Sequence, residues 1–241
     1  MNKDKIFSKE NKNIDQFEFN EEVADVFEDM LHRSIPSYLS TIETLESLTR
    51  QYIQPNSNCY DLGCSLGEAS LAIEKGTNVD GCTIFAIDKS EAMVSKCKKN
   101  LRNKITDASI EIINDDILNI EINNASIVVM NYTLQFLEKN QRQLILNKIY
   151  NGLKDGGLFF LSEKITNKNK LIREQLIHLH HDFKYKNSYS RLEISQKRKA
   201  IEEVLICDDK ETHEFRFKKA GFKNFDLWLQ HFNFVSYIAI K

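Results

Sequence analysis

The chain has 241 residues, 41% hydrophobic and 28% charged, with 33 lysines and arginines against 35 acidic residues for a net charge of −2. That length buries a substantial core within one domain spanning 1–241, and the near balance of charge lacks the basic surplus with which proteins neutralise nucleic-acid phosphates. The longest apolar runs, such as Ile127 to Met130, are too short to cross a bilayer, and the polar start Met1-Asn2-Lys3-Asp4-Lys5 lacks the apolar stretch of a secretory signal. The five cysteines are odd in number and form no Cys-x-x-Cys pair, which points to reduced thiols and a cytoplasmic protein.

Residues 1–16 are polar and expected to be disordered or frayed. Residues 17–54 form a helical amino-terminal region: Val23, Val26, Phe27, Met30 and Leu31, then Ile42, Leu45 and Leu48, repeat at helical spacing and are interrupted near Pro36. Strands and helices then alternate. Strands are predicted at Asn58–Leu62, Thr83–Ile87, Ile110–Ile113 and Ala125–Asn131, and helices at Glu68–Lys75, Glu91–Arg102 and Lys139–Leu153. The basic run from Lys96 to Lys104 falls on the second of these helices and reads as a solvated face. Asp155-Gly156-Gly157 predicts a turn into a strand at Leu158–Leu161.

The pattern changes at 168–207, which is charged and helical with sparse apolar anchors (Leu171, Leu176 and Leu179) and is expected to cover the open end of the sheet as a lid. A helix ending at Ala220-Gly221 and strands at Phe225–Gln230 and Phe234–Ile240 complete the chain. Such alternation requires right-handed crossovers and an α/β, doubly wound, mainly parallel sheet. A closing strand pair after a parallel core is the Rossmann-like arrangement of S-adenosyl-L-methionine (SAM) dependent methyltransferases.

In such a sheet ligands lie beyond the carboxyl ends of the strands. The segment Tyr60-Asp61-Leu62-Gly63-Cys64-Ser65-Leu66-Gly67-Glu68 has the order of a buried strand, a turn that bares its backbone, and a helix amino end, which suits an adenine-containing cofactor. Asp88 follows at the spacing of a ribose-binding acid, although an Asp beside Ser90 also suits capping of the next helix. Asp116 can accept from an adenine amine while the next N–H donates to a ring nitrogen; a simple polar loop is the alternative. Asn131 ends the fourth strand, where its amide could meet the amino-acid part of a cofactor or simply serve a turn. Cys64 reads as a small filler in a crowded turn, with no base nearby in sequence to make it a nucleophile. His178, His180 and His181 do not share one helix face, and no metal is expected.

Several stretches together resemble the carboxy-S-adenosyl-L-methionine synthase family from about Phe19 to Ile240. They are Phe27-Glu28-Asp29-Met30, Arg33-Ser34-Ile35-Pro36-Ser37-Tyr38, the glycine segment, Asn131-Tyr132-Thr133-Leu134-Gln135-Phe136-Leu137, His180-His181-Asp182-Phe183-Lys184, and Leu192-Glu193-Ile194-Ser195-Gln196-Lys197-Arg198. The Cys64-Ser65 pair departs from the commoner Gly-x-Gly-x-Gly, a departure that belongs to this family. The resemblance implies that Tyr38 contacts SAM and that Gly63, Cys64 and Ser65 lie beneath it. Asp88 and Lys89 would take the ribose side, Asp116 and Ile117 the adenine, and Asn131 the methionine end. It assigns Arg198 to the extra carboxylate of the product, the catalytically distinctive role; on the residues alone, Arg198 could equally pair with Glu202 on the lid surface.

The implied reaction takes prephenate to phenylpyruvate with loss of carbon dioxide and water. The SAM methyl is deprotonated to an ylide that captures the carbon dioxide, giving carboxy-SAM. That product would serve a separate tRNA carboxymethyltransferase acting on wobble uridine (cmo5U), and the family implies a homodimer. An ordinary SAM-dependent methyltransferase and a non-catalytic SAM-binding subunit are the competing expectations.

Overall fold

The structure, a computed structural model, describes residues 2–11, 13–102 and 109–241. Asn103 and Lys104, the end of the basic run, lie outside the described residues. Two helices open the fold, α1 (Glu21–Ser34) and α2 (Tyr38–Tyr52). Asn20 caps α1 by accepting from the Val23 N–H at 3.0 Å. Pro36 forbids continuation, and Ser37 turns the chain at φ 60° before α2 begins.

The alternating segment follows as β1 (Asn58–Leu62), α3 (Glu68–Gly76), β2 (Thr83–Asp88), α4 (Glu91–Arg102), β3 (Ser109–Asn114), β4 (Ala125–Asn131), a short 3-10 turn at Leu134–Phe136, α5 (Lys139–Gly152) and β5 (Leu153–Lys164). Then come α6 (Lys170–Lys186), α7 (Arg191–Ile201), α8 (Lys210–Ala220), β6 (Asn224–His231) and β7 (Phe234–Ile240). The seven strands are ordered β3-β2-β1-β4-β5-β7-β6. The pairs among β1 to β5 are parallel, while β7 runs antiparallel to both β5 and β6. This is the α/β methyltransferase fold expected from the sequence.

Because β1 has β2 on one side and β4 on the other, the chain reverses direction across the sheet there, and a crevice opens at the carboxyl ends of these strands. β4 is buried at every position except Asn131, as befits a central strand covered on both faces. One face packs Leu62, Val128, Phe159 and Leu161 against α5 and α8; the other packs Ile84, Ile127, Val129 and Phe160 against α2 and α3.

Three expectations are corrected. The turn at Asp155-Gly156-Gly157 is an irregularity within β5, which starts at Leu153; Gly156 takes φ 76° while the register shifts between Ala125 and Ile127. Two of the three expected anchors of α6 point outward: Leu171 is 76% exposed and Leu179 is also exposed, while Leu176 is half-buried, and the buried side chains are His180 and Lys184. The inward face of α6, with Ile177, His180, His181 and Lys184, lines a cavity, which accounts for its polar members.

The stretch 1–16 does not fray in its described residues. Asp4 is buried, its N–H donates to Asp29 Oδ2 at 2.7 Å, and the Tyr189 hydroxyl donates to Asp4 Oδ2 at 2.5 Å. Gln196 of α7 donates to the carbonyls of Phe7 and Lys9 and accepts from the Asn11 N–H. The segment thus straps α1 to the 168–207 region. Tyr189→Phe removes the hydroxyl donor to a carboxylate and is expected to weaken this strap by about 1.5 kcal/mol. Limited proteolysis should then cut the amino terminus faster while the core melts at nearly the same temperature.

Candidate active site

The turn between β1 and α3 is built from backbone. The N–H groups of Gly63 and Cys64 both donate to the Ile87 carbonyl at 2.8 Å, and Gly67 N–H donates to Cys64 O at 2.8 Å. Gly63 and Gly67 take φ 89° and 90°, the left-handed region that a side chain resists. A Cβ on Gly63 would also lie 2.3 Å from Thr133 Oγ1, so the turn closes directly on the segment after β4. Gly63→Ala is expected to lower stability by about 2 kcal/mol, from the unfavourable φ and the contact together. Thermal melting checks this, and adding Thr133→Gly should recover only the steric part.

Asp88, ending β2, accepts from Ser65 N–H and Ser90 N–H, each at 2.9 Å. It therefore braces the glycine turn. The capping oxygen of the next helix is Ser90 Oγ, which accepts from Met93 N–H at 3.2 Å. Burial raises the Asp88 pKa, and the two backbone donors oppose that rise. Asp116 follows β3 and accepts from Leu118 N–H at 2.9 Å, while among the described residues the N–H of buried Ile117 has no acceptor. The Cys64 thiol is buried and pushed well up, first by its hydrogen bond with Cys97 and then by burial, which keeps it protonated and suits a filler.

Every residue that the resemblance assigns to the cofactor or product lines one cavity of about 1160 Å³ at the strand ends, whereas Gly67 and His178 do not. Its floor carries Gly63, Cys64 and Ser65; Asp88 and Lys89 lie along one side with Asp116 and Ile117; Tyr38 and Asn131 approach from α2 and β4. Arg198, in the last turn of α7, lines this cavity and also a smaller one of about 460 Å³ on the outer side of α6 and α7. Arg198 is exposed, and no ion pair joins it to Glu202.

Other cavity residues carried weaker sequence signals. Asp61 was visible only as the acidic residue near the end of an apolar strand. It is 0% exposed, accepts from Ser70 Oγ at 2.6 Å through Oδ2, and has no partner at Oδ1. Burial pushes its pKa up to about 6, with the Asp88 charge adding to the rise and Ser70 opposing it. Asn131 Oδ1 is likewise a buried acceptor without a donor among the described residues. Two orphan acceptors facing one cavity suit a ligand that brings N–H groups or positive charge. Tyr38, hydrogen-bonded to Glu68, closes the same side. On the opposite wall stand Lys164, Lys184, Lys197 and the pair His180 and His181.

No group of three or more metal-ligating side chains occurs among the described residues. His180 Nε2 lies 2.8 Å from the Ser34 carbonyl oxygen, and burial depresses its pKa well below that of a free imidazole. No helix among the described residues is long and apolar enough to cross a membrane.

The chain matches the family model described as a methyltransferase domain over residues 60–157. It is 49% identical to the carboxy-S-adenosyl-L-methionine synthase of Vibrio parahaemolyticus over 240 residues, covering 100% of this chain and 98% of that protein. It is 47% identical to the synthase of the same name from Cronobacter sakazakii, again over 240 residues, covering 100% of this chain and 97% of the relative. Among solved structures it resembles human N-acetylserotonin methyltransferase in complex with SAM, with a TM-score of 0.60 and 16% identity over 92% of this chain and 55% of that one. At that identity the likeness speaks for the fold alone.

Proposed function

The chain belongs to the carboxy-S-adenosyl-L-methionine synthase family, and we propose that it converts SAM and prephenate to carboxy-SAM, phenylpyruvate and water. The observation that carries this reading is the single cavity in which the glycine turn and two orphan acceptors face a wall of cations that includes Arg198. The acceptors suit a cationic nucleoside, and the cations suit carboxylates.

In this reading the floor formed by Gly63, Cys64 and Ser65 lies under SAM, with Tyr38 over it. Asp88 and Lys89 serve the ribose, Asp116 and the free Ile117 N–H serve the adenine, and Asn131 and Asp61 serve the methionine end. Prephenate breaks its ring carbon–carboxylate bond, releasing carbon dioxide, and its ring carbon–oxygen bond, releasing hydroxide. The hydroxide takes a proton from the SAM methyl and leaves as water. The methyl carbon then bonds to carbon dioxide, and Arg198 receives the new carboxylate. Charge is conserved: a dianion and a cation give the phenylpyruvate anion and a neutral sulfonium carboxylate.

An ordinary methyl-transfer site has little use for Arg198, because a guanidinium about 4 Å from a sulfonium costs on the order of 4 kcal/mol at an effective dielectric near 20. A carboxylate between the two cations reverses the sign and allows a paired, two-bond contact. The net charge of −2 fits an enzyme of metabolites that hands its product to a separate tRNA carboxymethyltransferase, without gripping RNA itself. The family reading extends to a homodimer working in the cytoplasm, where the five free cysteines stay reduced.

The test is one turnover assay analysed by mass spectrometry. With prephenate present, SAM should gain the mass of carbon dioxide while phenylpyruvate accumulates; without prephenate, SAM should stay unchanged. Conversion to S-adenosylhomocysteine would favour an ordinary methyltransferase, and no conversion in either mixture would favour a non-catalytic subunit.

A further inference from the structure

We infer that Lys164, at the carboxyl end of β5, anchors a carboxylate of the small dicarboxylic acid that gives up carbon dioxide, in the basic half of the cavity; the inference rests on the carboxylation reading above. The cavity is electrically divided. Asp61, Glu68, Asp88 and Asp116 line the side around the glycine turn, whereas Lys164, Lys184, Lys197 and Arg198 line the other. Carboxylates also lie among these cations: Glu202 in the lining, Asp4, whose Oδ2 lies 3.9 Å from Lys197 Nζ, and Glu193 and Asp29, whose charges reach Lys184 and Lys197. The cations gathered here from β5, α6 and α7 suit an anionic substrate.

The four cations are not equivalent. Lys197 has Asp4, and Lys184 lies over the Tyr189 ring at 5.1 Å from its centroid, within the same strap. Lys164 has no carboxylate within 4 Å among the described residues; its ammonium lies 5.8 Å from the centroid of the Phe234 ring. Its backbone is fixed by the Lys164 N–H donating to Gln135 Oε1 at 3.0 Å, so the side chain leaves the sheet from a defined point. The Lys164 charge bears on Lys184, Lys197 and both histidines, and that of Arg198 bears on Lys164, so Lys164 stands among the other basic groups of this wall.

Burial, and then neighbouring positive charge, pulls Lys184 down to about 7, and burial pulls Lys197 down to about 8. Burial and the same cations hold His181 near 4, so the histidines add no charge at neutral pH. A wall of cations held below their ordinary basicity gains most from an entering anion. Placing a dianion there also sets it opposite the acidic, nucleoside-binding side, so the two substrates meet with opposite charges facing.

Steady-state kinetics with prephenate as the varied substrate test the inference. Lys164→Met should raise KM for prephenate roughly 30-fold while SAM affinity stays within about twofold, and Lys164→Arg should recover most of that loss. Lys164→Gln provides the same comparison should the methionine variant fail to fold. An unchanged KM, an equal loss of SAM affinity, or no recovery with arginine overturns the assignment. Calorimetric titration of prephenate into S-adenosylhomocysteine-saturated protein needs no turnover and separates the two claims. If wild-type protein makes no carboxy-SAM but binds prephenate in a Lys164-dependent way, the anion site stands and the carboxylation reading falls. If wild-type protein carboxylates SAM while the methionine variant binds prephenate equally well, the reading stands and the Lys164 site falls.

Discussion

Replacing Arg198 with alanine is expected to leave SAM affinity nearly unchanged and to weaken binding of carboxy-SAM by about 3 kcal/mol, roughly 150-fold. The asymmetry follows from charge. Without the added carboxylate, Arg198 faces a sulfonium and its removal is neutral or mildly favourable; with it, the guanidinium gains a partner of opposite sign. The effect belongs in the lower half of the range for truncated charge pairs, because Arg198 is exposed and stands where two cavities meet, so water solvates it before the ligand arrives. Arg198→Lys should recover part of the affinity, since a point charge keeps the attraction but loses the paired contact. Parallel calorimetric titrations with the two ligands check this, and equal weakening toward both would remove Arg198 from the carboxylate role.

The parts of this chain that read easily are those in which local pattern and tertiary environment agree. β1 and β4 occupy the spans expected of them because both are buried central strands with clear ends: β4 is an apolar run closed by Asn131, and β1 stops at Leu62 where the glycine turn begins. The glycine turn was legible because two of its left-handed positions, Gly63 and Gly67, favour glycine. The basic wall was not. Lys164, Lys184 and Lys197 come from three elements, and only the packing of α6 and α7 over β5 brings them together. Hydrophobic periodicity misreads α6 for the same reason: its buried face holds His180 and Lys184 while Leu171 points outward. Asp4 gave no signal either, since a lone acid in a polar terminus is indistinguishable from a solvated one until Tyr189, Lys197 and the Asp29 carboxylate are seen beside it.

Asp61→Asn is expected to change the pH dependence of both folding and ligand binding. In the ligand-free protein burial raises the Asp61 pKa from 3.8 to about 6, so the folded state holds this proton more tightly than the unfolded chain does. The resulting stabilisation is full below the unfolded value and is lost as pH rises through 6; above 6 the fold carries an ionised carboxylate with one oxygen unpartnered. Between pH 4.5 and 7.5 the stability of wild type relative to the asparagine variant should therefore fall by about 2 kcal/mol, read from denaturant melts at each pH. Ligand binding runs the other way. A cationic ligand beside Asp61 favours the ionised form, so SAM affinity should decline as pH falls below 6, by up to roughly tenfold per pH unit, while the variant binds weakly with a flatter profile. Parallel profiles for the two proteins would mean that Asp61 does not face the positive charge of the ligand. Opposite slopes for stability and affinity in the wild type, both flattened in the variant, would mean that the acid is held at a cost to the empty fold because the cation offsets its charge on binding.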